Sequence, residues 1–302
     1  MKIKTCGKLV AAATFTSLVS LPAYSQITGN LGTTSVSYGG PLAIQTVNTG
    51  FGDSSYTGSP NGPDANGSEL DAAYGRVANG NLYLFLAGNI ENNGNSINLF
   101  IGGGGATVGQ NTLNTGVGPL SNMNGSTFAS GFNATLGFNI NDYQGTMYTD
   151  GANLQGGGGG YMGSVGLTAG IGSGTPSGGS YSLTGFQEAL NNSHISTMGT
   201  AGQALSGATS GANTLTGLEL VIPLADLGTI SGNIFVEADI NNNGNSYLSN
   251  QFLPGLGVGT GNVGTATFSN AGYFIVPVPE PSTWALLATS AVSGLLMFRR
   301  KK

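Results

Sequence analysis

The chain has 302 residues, of which 54 are glycine, eight are Lys or Arg and thirteen are Asp or Glu. Seven of the eight cations sit near the two ends, so the stretch from Gln26 to Val276 holds Arg76 alone against twelve acids, a charge of about −11. One cation cannot neutralise a row of phosphates, which excludes nucleic acid and an anionic membrane surface as partners of that stretch and leaves neutral glycans and divalent cations open.

The chain opens on a targeting signal. Lys2, Lys4 and Lys8 precede an apolar run from Leu9 to Val19, and Ala23-Tyr24-Ser25 supplies the small-x-small cleavage pattern. Residues 1–25 therefore read as a secretory signal helix, cleaved between Ser25 and Gln26. Cys6, the one cysteine, falls inside the removed piece and ahead of its apolar region, so it does not read as a lipid-attachment site. The exported body, residues 26–276, is left without thiol, disulfide or cysteine-based metal site, and its stability must come from burial and strand pairing.

Abundant Gly, Asn, Ser and Thr disfavour long helices in that body, no Gly-X-Y period is present, and apolar runs recur too regularly for disorder. The expectation is an all-β fold, a Gly/Asn-rich antiparallel β-sandwich with long loops. First strands are predicted at 35–38 and 42–47, ahead of a polar loop at 50–68. Leu82 to Ala87 (LYLFLA) is apolar on both faces, which predicts a central buried strand. Asn93-Gly94 has type I′ turn chemistry and predicts a hairpin into the strand at 97–101, which Gly102 to Gly105 ends. Residues 106–126 are rich in turn formers and carry little signal.

Leu136, Phe138 and Ile140 alternate with Thr135, Gly137 and Asn139, the pattern of a strand with one wet face. Gly156 to Gly160 has neither a following lysine nor a strand-to-helix context, so it reads as loop and not as a phosphate cradle. A strand at 161–167 and a flexible stretch at 170–179 come next. Thr184 and Gln187 are spaced as a capping box, which predicts a short helix over 184–190. Leu218, Leu220 and Ile222 share a strand face that Pro223 stops, and 224–227 predicts a helical turn closed by Gly228. Ile234, Val236 and Ala238 line another strand, Asn243-Gly244 turns it, and 247–252 returns. Strands at 265–268 and 273–276 close the body. The stretches 80–96 and 232–246 resemble each other across a two-residue gap, as duplicated hairpins or as shared turn chemistry.

Residues able to carry chemistry are few. Asp239-Ile240-Asn241-Asn242-Asn243-Gly244-Asn245 opens like a calcium loop, with oxygen ligands at Asp239, Asn241, Asn243 and Asn245 and glycine at the sixth position. Its twelfth position is Asn250, where a bidentate Glu is wanted, and no helix flanks it. A hairpin tip whose Asn and Asp side chains satisfy local backbone is the preferred reading, with calcium the alternative. The earlier copy at 89–94 is weaker. A single histidine, His194, excludes most transition-metal sites and argues against a Ser-His-Asp triad. Glu69 with Asp71, and Glu237 with Asp239, are acid pairs expected to share a strand face; a wet face explains them more simply than a glycosidase pair. No catalytic residue is assigned and no enzyme is expected.

At the far end, Pro277, Pro279 and Pro281 impose an extended lead-in, Trp284 to Phe298 carries no charge, and Arg299, Arg300, Lys301 and Lys302 finish the chain. At about 1.5 Å per residue the apolar run makes roughly 22 Å of helix, a short transmembrane span for a hydrocarbon core of about 30 Å. The positive-inside tendency keeps the basic end cytoplasmic and the body outside. In order and position these parts resemble the PEP-CTERM sorting signal of bacterial surface proteins, with Pro279-Glu280-Pro281 as the tripeptide. The resemblance implies that residues 277–302 meet a membrane-embedded exosortase after passage through the secretion machinery and are cut near Pro279 to Pro281. The body would then reach the cell surface or extracellular matrix, commonly in bacteria that make exopolysaccharide. Its own role there is expected to be structural or adhesive, as in a biofilm. Glu219 to Gly228 (ELVIPLADLG), taken with Leu82 to Ala87, also resembles DOMON-like and family 9 carbohydrate-binding sandwiches. That likeness implies a jelly-roll-like body and saccharide binding, with calcium assistance as an option. It supplies no aromatic platform, since the only tryptophan, Trp284, lies in the tail.

Overall fold

A computed structural model describes residues 26–45, 68–103, 108–192, 214–228, 230, 232–257 and 261–278. Among them the strands are β1 (Ala43–Ile44), β2 (Glu69–Ala78), β3 (Asn81–Asn89), β4 (Asn93–Gly103), β5 (Thr127–Phe128), β6 (Ala134–Tyr143), β7 (Thr146–Asn153), β8 (Gly159–Gly166), β9 (Ile171–Gly174), β10 (Ser177–Gly178), β11 (Gln187–Asn191), β12 (Gly217–Pro223), β13 (Ile234–Asn241), β14 (Leu248–Leu253), β15 (Ser269–Ala271) and β16 (Phe274–Val276). One sheet runs β1-β2-β3-β12-β11-β9 and the other β10-β8-β7-β6-β4-β13-β14. Both are antiparallel. β16 and β14 divide one edge of β13, the first pairing Ile234 to Val236 and the second Ala238 to Asn241. A small parallel ladder joins β15 to β5.

Strand alternation aims one set of side chains from each sheet into a common core. Leu82, Leu84 and Leu86 of β3 and Leu218, Leu220 and Ile222 of β12 meet Ile97, Leu99 and Ile101 of β4 and Ile234, Val236 and Ala238 of β13 there. This is the sandwich interior, and each fully buried Leu or Ile contributes about 2 kcal/mol. The apolar run at 82–87 has a second use. Tyr83 and Phe85 point the other way, under a cover made by the N-terminal segment through Ile27, Leu31, Val36, Tyr38 and Ile44. Glu219 fastens that cover. Its carboxylate accepts from the backbone N–H of Thr28 (2.9 Å) and Gly29 (3.0 Å) and from the hydroxyls of Thr34 (2.6 Å) and Tyr38 (2.9 Å).

The outer face of the second sheet is likewise half covered. Residues 108–133, including a one-turn 3-10 helix at Pro119–Met123, lay Leu113, Val117, Leu120, Met123, Phe128 and Phe132 over Phe100 and Phe252. Of the stretch 106–126, the described residues 108–126 thus carry a buried cluster that turn composition conceals. The same cover corrects the wet face expected of β6, because Thr135 and Asn139 are buried beneath it.

Three further expectations need correction. Asn93-Gly94 makes no hairpin between β3 and β4: β3 pairs with β2 and β12, β4 with β6 and β13, and residues 90–92 cross from sheet to sheet. The tight hairpin is one turn earlier, where Asn79 (φ 52°) and Gly80 (φ 77°) join β2 to β3 in the left-handed conformation that type I′ geometry demands. The helix over 184–190 is instead a turn leading into β11. Phe186 buries itself against Phe138 at 5.3 Å, and pairing with β12 and β9 outweighs a local capping box. Finally, the boundaries of regular structure shift. Residues 35–38 and 265–268 are irregular cover, while the glycine-rich stretch 170–179 holds two short strands, β9 and β10. Of 42–47 only β1 is strand, with 46 and 47 outside the described residues. The remaining expected strands are present, including β8, β12 with its 3-10 turn at Leu224–Leu227 closed by Gly228, and the β13–β14 hairpin.

Candidate functional site

The expected signal at 1–25, with Ala23 and Ser25, lies outside the described residues, and so does the tail from 279 on, with Pro279, Glu280, Pro281, Trp284, Phe298, Arg299, Arg300, Lys301 and Lys302. His194 also lies outside them. Among the described residues no helix is long and apolar enough to cross a membrane. Packing continues up to the tail. Val276 is fully buried on β16, and Val278 still packs on the core and donates its N–H to Asn233 Oδ1 at 3.4 Å.

Within the body, polar side chains gather beneath the cover of the second sheet. The register aligns Asp239 of β13, Asn98 of β4 and Asn139 of β6 in one lateral row. Asn98 Nδ2 donates to Asp239 Oδ1 at 2.8 Å, and Asn98 Oδ1 accepts from Asn139 Nδ2 (2.8 Å) and Asn245 Nδ2 (2.9 Å). Asn245, held at φ 53° after the β13–β14 turn, accepts from Ser96 Oγ at 2.8 Å. Three of the four residues singled out in the calcium-like loop therefore sit close together, but two are occupied. Asn241 Oδ1 accepts from the backbone of Asn242 and Tyr247, and Asn245 Oδ1 is taken by Ser96. Asn243 is exposed and rests over Gly94, where a Cβ would come within 2.7 Å of its amide nitrogen. The two similar Asn-Gly loops thus pack against each other, one ending a crossover and the other a hairpin.

Both acid pairs are buried. A bulge between Leu70 and Ala72 interrupts the alternation of β2, and Glu69 and Asp71, on either side of Leu70, lie close enough that the Asp71 charge adds to the burial that pushes the Glu69 carboxyl up. Glu237 and Asp239 do share a face of β13, and neither is exposed to solvent. Burial, reinforced by the Asp239 charge, pushes the Glu237 carboxyl well above the usual carboxylate range. Burial raises Asp239 too, against the lowering effect of the Asn98 hydrogen bond. Between the sheets, Glu188 is pushed up to about 8 by burial although Thr149 Oγ1 donates to it at 2.6 Å.

Beyond the cover, β6 to β8 leave the outer face partly open. The pairings Asn141 with Tyr148 and Asp150 with Tyr161 put all four on that face, each half-buried, beside the exposed Tyr143. The rings of Tyr148 and Tyr161 lie 6.4 Å apart and 33° from parallel. This aromatic strip could not be read from tyrosines scattered over three strands; only the register assembles it.

Residues 277–301 match the family model of the PEP-CTERM protein-sorting motif, which implies handling by an exosortase and a surface or extracellular destination. No curated protein and no solved structure matches the chain.

Proposed function

We propose that this chain, whose residues 277–301 carry the PEP-CTERM sorting motif, delivers a non-catalytic β-sandwich to the cell surface or extracellular matrix, where it serves a structural or adhesive role. In this reading the signal at 1–25 is removed on export, Trp284 to Phe298 anchors the chain briefly in the membrane, and cleavage near Pro279 to Pro281 releases the body. The motif match is the observation that carries the proposal. The burial of Glu237 and Asp239 supports a non-catalytic role, since a glycosidase pair must flank a substrate bond. Intact mass provides the test. In a host with its exosortase the mature chain should lack Trp284 to Lys302, and Glu280→Gln should slow that loss. A full-length mature form in such a host would sink the assignment.

A second reading is favoured by the tyrosine strip. Tyr143, Tyr148 and Tyr161 offer flat apolar rings while Asn141 and Asp150 offer polar atoms beside them, the mixture that neutral saccharides use. Here the jelly-roll-like sandwich is a carbohydrate-binding module acting on exopolysaccharide. Retention on the host's own exopolysaccharide should fall about tenfold in a Tyr148→Ala, Tyr161→Ala double variant, the loss of roughly 1.4 kcal/mol. Equal retention of variant and wild type would remove this face from consideration.

A further inference from the structure

We infer that Glu237 and Asp239 hold a hard divalent cation, calcium foremost, beneath the cover of the second sheet. Both side chains leave the same face of β13 and both are fully enclosed. Three of their four carboxylate oxygens, Glu237 Oε1, Glu237 Oε2 and Asp239 Oδ2, have no hydrogen-bond partner. Glu219, by contrast, accepts from four donors. Glu69, Asp142, Glu188 and Asp226 also keep unpartnered oxygens, but Asp142 and Glu188 each accept a side-chain hydrogen bond, and burying two adjacent carboxylates as unpaired charges is costly.

Among the described residues no cationic side chain reaches them. Between Gln26 and Val276 the only Lys or Arg is Arg76, and its guanidinium is committed on the other sheet, donating to the Ser37 carbonyl at 2.6 Å. The compensating charge then comes from outside the chain, as a proton or as a bound cation, and two carboxyls on one strand face can share a single divalent ion. The free atoms are all oxygens, the donor set of calcium and not of a soft or imidazole-seeking metal. Asn98 fixes the remaining oxygen of Asp239, and Asn139 and Asn245 fix Asn98, the kind of outer support that orients a metal ligand. This site shares Asp239 with the calcium-like loop but otherwise differs from it: the strand supplies Glu237, while Asn243 stays outside. It does not depend on the sorting proposal.

Calorimetry on the purified full-length chain, first in chelator and then in about 1 mM calcium chloride, tests the assignment at the concentration extracellular sites are tuned to. The expected result is saturable binding of calcium and a rise in Tm of roughly 5–10 °C. Glu237→Gln should abolish both responses, and in chelator it should melt no lower than the wild type, because it removes a buried ionisable group that has no hydrogen-bond partner. Asn243→Ala should keep both responses. A wild type with the same Tm in chelator and calcium and no binding heat would overturn the inference. So would a Glu237→Gln chain that still responds, or an Asn243→Ala chain that does not.

Discussion

Glu188 sits opposite Leu220, whose side chain is in the sandwich core, so a carboxyl group occupies a place that the strand pattern reserves for an apolar one. One oxygen accepts from Thr149 and the other has no partner. Unfolded, the group ionises near 4.5, but in the fold near 8, so between those values the native state retains a proton that the unfolded chain has released. The part of the stability that Glu188 controls is thus fullest below about pH 4.5 and falls as pH rises towards 8. Each tenfold difference in proton affinity between the two states is worth about 1.4 kcal/mol, so the loss is on the order of 4 kcal/mol. Denaturant unfolding in chelator at pH 5 and pH 8 should show the decline, and Glu188→Gln should make it shallower by about that amount. An unchanged slope would mean that Glu188 is not enclosed as described. Burial raises Asp71 and Asp142 in the same direction, so the contrast between variant and wild type is the informative quantity.

Strand contacts set the tolerance of the backbone to substitution. Gly217 begins β12 opposite Ala87, and a Cβ there would collide with the Leu86 carbonyl oxygen across the sheet. Gly116, in the loop over the second sheet, has open space where its Cβ would go. Gly217→Ala should accordingly cost about 2 kcal/mol or more in denaturant unfolding and Gly116→Ala less than about 0.5 kcal/mol. Comparable costs at the two positions would contradict the β3–β12 register. Elements with their own internal pattern were legible in the chain: Leu82 to Ala87 is apolar on both sides because both sides are covered, and Leu218, Leu220 and Ile222 mark one face. Elements whose identity depends on a distant neighbour were not. β11 was masked by a capping box, and β2 lost its alternation to a bulge.

In the whole molecule, charge and cover change the picture that composition suggests. Seven of the ten acids within the described residues (Glu69, Asp71, Asp142, Glu188, Glu219, Glu237 and Asp239) are buried, so of these acids the surface those residues present carries only Glu91, Asp150 and Asp226. Under the carbohydrate-binding proposal, this described surface with its open tyrosine strip suits neutral partners better than ionic ones. The tail leaves this body abruptly. Only Pro277 and Val278 separate the buried end of β16 from Pro279, and two extended residues span about 7 Å. Under the sorting proposal, processing therefore takes place next to a folded sandwich, and the mature protein ends close to its last strand.

Address and class of fold are written in the linear chain. The sorting motif is read residue by residue, and Gly-, Asn- and β-rich composition with period-two runs admits little besides short paired strands. Which strands pair, what covers the outer faces and where the acids lie are settled by contacts between segments far apart. An Asn-Gly pair specifies a local left-handed backbone, and Gly94 adopts it at φ 94°, but whether the chain then returns or crosses to the other sheet depends on partners far away in sequence. Glu237 and Asp239 look like any acids on a wet strand until residues 108–133 close over the second sheet.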